Sequence, residues 1–270
     1  MSTFYICATP IGNLSDVSQR LTETLKEVDV IYCEDTRRAA KLLNYLGIKK
    51  ETRSYFLGNE VQKIEEIKNL LKSKKDIALI SDAGTPLISD PGSFLIKHLV
   101  QENFNIVSIP GPSSVLTALT ISGFEINEFQ FLGFIPKSQK EKLEFIVKLF
   151  NSSMPTVCYT SPNRIKKDLD FFDSQGLDSE IVICRELTKK FETIYRGKAS
   201  ELKHQFESDV KGEITIVIGP SSSQNEINLD LDEAIKILIK NNVSKKDISK
   251  ALSLVTEYSV NDLYNKIKDF

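Results

Sequence analysis

Short apolar runs rich in β-branched residues alternate with amphipathic segments through the first half of the chain. Two parallel strands need a long connection between them, and a helix commonly supplies it. The alternation is therefore typical of an α/β fold, in which helices cover a parallel sheet. The predicted strands of this half are Phe4–Ala8, Val28–Cys33, Ile77–Ser81 and Ile106–Ile109.

The second half of the chain predicts another α/β region, separated from the first by a break at Ser122–Asn127. Its predicted strands are Phe129–Phe134, Thr156–Thr160, Glu180–Arg185, Phe191–Tyr195 and Glu213–Ile218. Its predicted helices are Gln139–Phe150, Pro162–Ser174 and Ala199–Glu207. The sequence thus predicts an N-terminal α/β domain over residues 1–122 and a C-terminal α/β domain over residues 128–219.

A small tail of short helices is predicted beyond Gly219, over residues 226–270. Ser244 and Ser259 each precede a helical pattern and are suited to cap a helix N-terminus. Short helices in this arrangement resemble a helix-turn-helix, which would bind nucleic acid. Packing against the C-terminal domain is at least as good an interpretation, so the role of the tail stays open.

Charge, apolar runs and cysteine spacing limit which functions the chain can have. A net charge of −2 and a pI near 5.9 give no overall positive field to attract a polyanion, so contacts with nucleic acid need local basic patches. Since no run of about 18 apolar residues occurs, we expect a cytoplasmic protein without a membrane span. The four cysteines lie far apart, without the spacing of metal ligands, so no metal site is predicted.

Three turns rich in glycine and proline follow predicted strands of the first half: Ala8–Asp16, Ser81–Gly92 and Ile109–Ser114. Ligands of α/β proteins bind at the carboxyl ends of strands, where glycine allows a close approach of the backbone and proline stiffens the turn. Each turn alone would be an ordinary connection. Together they predict one pocket for a small molecule.

Five motifs in a fixed order extend this interpretation: ATPIGNLSD, EDTRRAAKLL, SDAGTPLISDPG, IPGPSSVLTAL and RELTKKFETIYRG. The set resembles the tetrapyrrole-methylase superfamily, and within it the enzymes that methylate bacterial small-subunit ribosomal RNA. The resemblance covers roughly Phe4 to Gly219. It implies a homodimer of two-domain subunits with S-adenosylmethionine between the domains. It also implies 2′-O-methylation of a decoding-site cytidine in 16S rRNA, within the small ribosomal subunit.

The resemblance also implies which residues bind the cofactor. They are Pro10, Ile11, Asp82, Ala83, Thr85, Ser113, Ser114 and Tyr159. One departure from the family concerns the segment from Ser54 to Glu60, where its members usually carry histidines and this chain has none. If the assignment holds, those histidines are not a required base.

Acidic and basic residues occur together after two predicted strands, at Glu34–Arg38 and Arg185–Lys189. A ribose hydroxyl is a poor nucleophile, so its methylation needs a group that accepts the proton or cations that stabilise an alkoxide. The candidate catalytic residues are Glu34, Asp35, Arg37, Arg185, Glu186 and Lys189. Alternatively, Asp35 or Thr36 caps a helix and Glu34 pairs with an arginine. The candidate phosphate contacts are Arg37, Arg38, Arg164, Arg185 and Lys189.

Two other functions remain open at this point. Methylation of a tetrapyrrole ring suits the same superfamily, although the first turn here is ATPIG where such enzymes typically have a run like GxGxGD. A non-catalytic module that binds the ribosome through the tail is the second alternative. Such a module has no reason to bind S-adenosylmethionine.

Overall fold

The computed structural model describes residues 2–206, 210–221, 231–240, 243–253, 256 and 258–268. The chain divides into two compact units, residues 1–221 and residues 222–270. Residues 226–230, with which the predicted tail begins, lie outside the described residues.

A parallel five-stranded sheet forms the first part of the first unit, in the order β3-β2-β4-β1-β5. Its strands are β1 (Thr3–Cys7), β2 (Val30–Cys33), β3 (Glu51–Ser54), β4 (Ile77–Ile80) and β5 (Asn105–Ile109), and its helices are α1 (Gln19–Glu27), α2 (Thr36–Tyr45), α3 (Glu60–Lys72), α4 (Ser93–Gln101) and α5 (Ser114–Thr120). The predicted α/β fold is confirmed. Strand β3 was not predicted, because its sequence ETRS has no apolar pattern at this edge of the sheet.

The second sheet has the order β6-β7-β10-β8-β9, in which β6 and β7 are parallel and the other pairs antiparallel. Its strands are β6 (Gln130–Phe134), β7 (Thr156–Thr160), β8 (Ile181–Arg185), β9 (Thr193–Gly197) and β10 (Ile214–Ile218), and its helices are α6 (Gln139–Phe150), α7 (Ile165–Ser174) and α8 (Ala199–Leu202). Strand β9 begins two residues later than predicted, and the Phe191 side chain is exposed.

Side chains of the first sheet alternate between two apolar layers, since neighbours on a strand point to opposite faces. Ile31 and Cys33 of β2 pack with α1 and α2, whereas Val30 and Tyr32 pack with α3 and α4. The whole of β2 and β4 is buried, as expected for central strands covered on both faces.

Helix α5 connects the two sheets through one apolar cluster. It follows the last strand of the first sheet, yet its buried residues Val115, Ala118 and Leu119 pack with Val157 and Val217 of the second sheet. The opposite face of the second sheet is covered by α6, α7 and α8. The carboxyl edge of the first sheet is thereby placed against the inner face of the second.

The second unit contains α9 (Leu231–Lys240), α10 (Lys245–Leu252) and α11 (Val260–Lys268). Ser244 accepts a hydrogen bond from the backbone N–H of Asp247, and Ser259 accepts one from Asp262, so both predicted N-caps are confirmed. Among the described residues, no helix is long and apolar enough to cross a membrane.

The Asp168 side chain is fully buried in an ion-pair network on α7. Its Oδ1 accepts hydrogen bonds from Lys142 Nζ at 2.8 Å and Arg164 Nη2 at 3.1 Å, and its Oδ2 accepts one from Thr160 Oγ1 at 2.6 Å. The Arg164 guanidinium also donates to the carbonyls of Ile135 and Pro136. Arg164 therefore stabilises the fold instead of standing free for the predicted phosphate contact.

We expect Asp168→Ala to lower the free energy of unfolding by about 3–5 kcal/mol, because it removes the buried carboxylate that pairs with the partly buried cations of Lys142 and Arg164. Asp170→Ala on the same helix is the matched control, since the Asp170–Lys166 pair is exposed and its loss should change stability by less than about 1 kcal/mol. Urea unfolding of both variants checks this. Equal effects would show that the buried network contributes no more than a surface pair.

Candidate functional site

The three predicted ligand-binding turns converge at the carboxyl edge of the first sheet. Thr9 and Gly84 join the first two turns through reciprocal backbone hydrogen bonds of 2.8 and 3.1 Å. The Thr85 hydroxyl donates to the carbonyl of Pro112 in the third turn at 3.4 Å. Gly84 has a φ of +80°, a conformation that glycine adopts without strain. The three turns therefore lie together in the structure, and their role as a ligand-binding site stays a prediction.

The first turn also contacts the loop that follows β8 in the second sheet. The backbone N–H of Asn13 donates to Thr188 Oγ1 at 3.0 Å. A Cβ on Gly12 would lie 2.4 Å from Lys189 Cγ and 2.8 Å from the carbonyl of Leu187. Only glycine allows this approach, so Gly12 lets the loops of the two sheets meet.

A cavity of about 310 Å³ lies between these loops and the inner face of the second sheet; we call it the first cavity. Five of the eight predicted cofactor residues line it: Ile11, Asp82, Ala83, Ser114 and Tyr159. The hydroxyls of Ser114 and Tyr159 are hydrogen-bonded at 2.8 Å across the cleft. Asp90, Leu187 and Glu213 also contribute to its wall.

The remaining predicted cofactor residues lie close to the first cavity but have other contacts. Thr85 connects two turns as described, and Ser113 caps α5 by accepting a hydrogen bond from Leu116. Pro10 lines an adjoining cavity of about 430 Å³, which we call the second cavity.

The second cavity lies between the first turn, α2 and the loop after β8. Its wall includes Gly12, Leu14, Arg38, Lys41 and Lys189. It shares five lining residues with the first cavity: Ile11, Arg38, Asp82, Ala83 and Glu213. The two cavities are therefore neighbours on the same face of the first sheet.

The first acid–base segment supports helix α2. Asp35 is its N-cap, accepting from the Arg37 backbone N–H at 2.8 Å, and it forms an ion pair with the Arg37 side chain at 2.7 Å. These hydrogen bonds hold the pKa of Asp35 well below its usual range. Arg37 is 88% exposed and lies outside both cavity walls. Partial burial and the Asp82 carboxylate raise the pKa of Glu34.

The second acid–base segment turns away from the strand, because β8 ends at Arg185 and Glu186 has a φ of +54°. Arg185 Nε donates to the carbonyl of Lys211 at 2.8 Å. Lys189 Nζ lies 2.7 Å from Glu186 Oε1 and 2.9 Å from Glu213 Oε2. Of the three predicted residues here, Lys189 alone lines one of the two cavities described above.

Arg38 and Glu213 form the junction of the two cavities, and neither was among the predicted catalytic residues. Arg38 Nε lies 3.4 Å from Asp82 Oδ2, and its Nη1 lies 4.0 Å from Glu213 Oε1. Glu213 precedes β10, which is antiparallel to β8, so it lies at the carboxyl end of β8. This pairing is a tertiary feature that the sequence pattern alone does not give.

Asp90 is a third residue that sequence reasoning missed, although it belongs to the quoted SDAGTPLISDPG motif. It lines the first cavity and follows Ser89, whose φ is +68°. Burial, with the nearby Glu34 and Asp82 carboxylates, raises the pKa of Asp90 to about 6. Non-glycine residues in this conformation concentrate at functional sites. Among the described residues, no group of three or more histidine, cysteine or acidic side chains could hold a metal ion.

Comparison with known proteins identifies the family. The model of the Tetrapyrrole (Corrin/Porphyrin) Methylases matches residues 3–203. The chain belongs to this family. It is also similar to proteins named ribosomal RNA small subunit methyltransferase I. The one from Vibrio cholerae is 39% identical over 94% of this chain and 88% of its own length. The one from Streptococcus pyogenes serotype M1 is 35% identical over 99% and 95%.

Solved structures share the fold at low sequence identity. Diphthine synthase has a TM-score of 0.63 at 14% identity, covering 82% of this chain and 90% of its own. Uroporphyrin-III C-methyl transferase from Thermus thermophilus, complexed with S-adenyl homocysteine, has a TM-score of 0.57 at 13% identity, covering 81% and 97%. The predicted tetrapyrrole-methylase fold is therefore confirmed.

We expect the stability of Asp90→Asn to depend on pH differently from the wild type. The pKa of Asp90 is higher in the folded state than in the unfolded state. The protonated carboxyl therefore adds its full contribution to the stability of the fold below about pH 4, and that contribution is lost as the pH rises through 6. Asparagine cannot ionise. The Tm of the variant relative to wild type should therefore be about 4–8 °C higher at pH 7.5 than at pH 4.5.

Differential scanning calorimetry at both pH values measures this difference. Asp16→Asn is the matched control, because Asp16 is exposed and lies outside both cavity walls. A Tm difference that is the same at the two pH values for Asp90→Asn would show that the folded state does not raise this pKa.

Proposed function

We propose that this chain transfers a methyl group from S-adenosylmethionine to a ribose 2′-hydroxyl of 16S rRNA. The observation that carries the proposal is the match to small-subunit ribosomal RNA methyltransferases over nearly the whole chain. That match spans both sheets and therefore the loops that line both cavities. The decoding-site cytidine, the assembled small subunit as substrate and a homodimeric state are parts of the same proposal.

The first cavity fits the cofactor in size and charge. Pockets for small molecules are commonly about 300–1,000 Å³ and largely apolar with a few placed polar groups. Ile11, Leu187 and Tyr159 offer apolar surface here. Among the described residues of the wall, Asp82, Asp90 and Glu213 supply carboxylates and Arg38 supplies the one cation. Carboxylates suit a ligand that carries a sulfonium and an ammonium group. We therefore propose that the first cavity holds S-adenosylmethionine.

Bound S-adenosylmethionine would supply an electrophilic methyl group, and the residues of the chain would manage the proton of the acceptor hydroxyl. Asp90 lines the first cavity with a pKa near 6, so at pH 7.5 it is ionised and able to accept a proton. Lys189 and Arg38 would stabilise negative charge on the acceptor oxygen. Asp35 and Arg37 would act less directly, by fixing the start of α2.

A direct assay tests the proposed function. The purified chain is incubated with tritiated-methyl S-adenosylmethionine and small subunits from cells that lack the gene, and the labelled nucleosides are then identified. We expect label in one 2′-O-methylated nucleoside of 16S rRNA. Cofactor binding without transfer to RNA would favour another substrate, such as a tetrapyrrole. A chain that binds no cofactor would favour the ribosome-binding module.

Ser114→Trp should weaken binding of S-adenosylmethionine at least tenfold, because the indole would occupy the first cavity and remove the hydrogen bond to Tyr159. Leu116→Trp is the matched control on the same helix, since Leu116 is exposed and lies outside that cavity. Isothermal titration calorimetry measures both affinities. Unchanged affinity in a folded Ser114→Trp variant would contradict the placement of the cofactor.

A further inference from the structure

The second cavity lies where an acceptor would have to be. A methyl group passes between atoms that are about 3–3.5 Å apart in the reactive arrangement, so donor and acceptor sites must adjoin. The two cavities share Ile11, Arg38, Asp82, Ala83 and Glu213 as common wall. If the cofactor occupies the first cavity, a group bound in the second therefore lies directly beside it.

The two cavities differ in the charge of their walls. Three carboxylates and one cation line the first cavity, as described above. Three cations, Arg38, Lys41 and Lys189, and two carboxylates, Asp82 and Glu213, line the second. The first wall suits a cationic ligand and the second suits an anionic one. A nucleotide phosphate is such an anion, and arginine and lysine are its usual partners.

Two of the three cations of the second cavity, Arg38 and Lys41, are accessible to a ligand, whereas Lys189 is paired with Glu186 and Glu213. Lys41 is exposed, and within the described ranges it forms no ion pair. Arg38 lies 3.4 Å from Asp82 and 4.0 Å from Glu213, and its side chain is more than half exposed. Exposed ion pairs contribute little to stability, so a phosphate could take over this cation at small loss.

We infer that the second cavity binds the ribose and phosphate of the target nucleotide, with Lys41 and Arg38 as phosphate contacts and Leu14 as part of the apolar wall. This inference rests on the proposed function and adds the location of the RNA acceptor. Arg38 and Glu213 belong to both cavities, so they would align the acceptor with the cofactor. Lys41 and Leu14 line the second cavity alone, which allows the two sites to be tested separately.

The test compares Lys41→Glu and Leu14→Trp with the control Lys97→Glu. The control makes the same charge change on the exposed face of α4, away from both cavities. Methyl transfer to small subunits gives KM and kcat, and calorimetry gives the affinity for S-adenosylmethionine. We expect Lys41→Glu and Leu14→Trp to raise the KM for subunits about tenfold or more, because a phosphate contact and the space for the ribose are lost.

Salt dependence provides a second readout. Each phosphate contact releases counterions from the RNA, so a lost contact makes binding less sensitive to salt. We expect Lys41→Gln to reduce the slope of log affinity for subunits against log salt concentration by about one, measured between 50 and 200 mM KCl. Cofactor affinity should stay at the wild-type value in every variant. The control should leave KM, slope and cofactor affinity unchanged.

The outcomes separate this inference from the proposed function. If the wild type methylates small-subunit RNA and both cavity variants keep its KM, the acceptor site lies elsewhere and the proposed function stands. Loss of cofactor affinity in a folded Lys41→Glu or Leu14→Trp variant would also overturn the inference, since the second cavity would then belong to the cofactor site. If the wild type methylates no RNA, the proposed function falls and the inference with it.

Discussion

The packing of helix α5 against the second sheet is the constraint on which the site depends. Helix α5 follows the last strand of the first sheet, but its residues Val115, Ala118 and Leu119 pack against Val157 and Val217 of the second sheet. Burying such side chains is worth roughly 1.5–3 kcal/mol each for the larger ones, so separating the two sheets would be strongly unfavourable. The loops at the carboxyl edge of the first sheet therefore face a fixed wall. Both cavities lie in the space between these loops and the second sheet.

Close backbone contact and paired charges then shape the space between the sheets. Gly12 lets the first turn touch the loop after β8, where any Cβ would meet the Leu187 carbonyl. Glu213 lies beside that loop and pairs with Lys189 and Arg38, which come from different sheets. A single carboxylate thus connects the two halves of the site.

The sequence predicted the parts of the site that depend on local patterns. Turns after apolar strands are visible as glycine and proline, and the carboxyl edge of a parallel sheet brings them together, so the three turns were predicted to share one site. The resemblance to the family, not the turn pattern, singled out Ile11, Asp82 and Ser114 within them. Pairing between distant strands has no such local signal. Glu213 lies at the site because β10 runs antiparallel to β8. The polar strand β3 forms because it pairs with β2, not because of an apolar pattern of its own. The catalytic roles of Glu34, Asp35, Arg37, Arg185, Glu186 and Lys189 stay predictions.

The low net charge of the chain is compatible with an RNA substrate because its charges are divided between neighbouring cavities. A uniformly basic surface would bind any RNA through its phosphates. Here the carboxylates of Asp82 and Glu213 lie beside the cations of the second cavity. If this cavity binds the target nucleotide, Arg38 and Lys41 would favour a phosphate chiefly where it enters the cavity. Under the proposed function, recognition then depends on an RNA shape that can present one unstacked nucleotide to this cavity. Under the same proposal, an assembled ribosomal subunit would supply that shape more readily than free RNA.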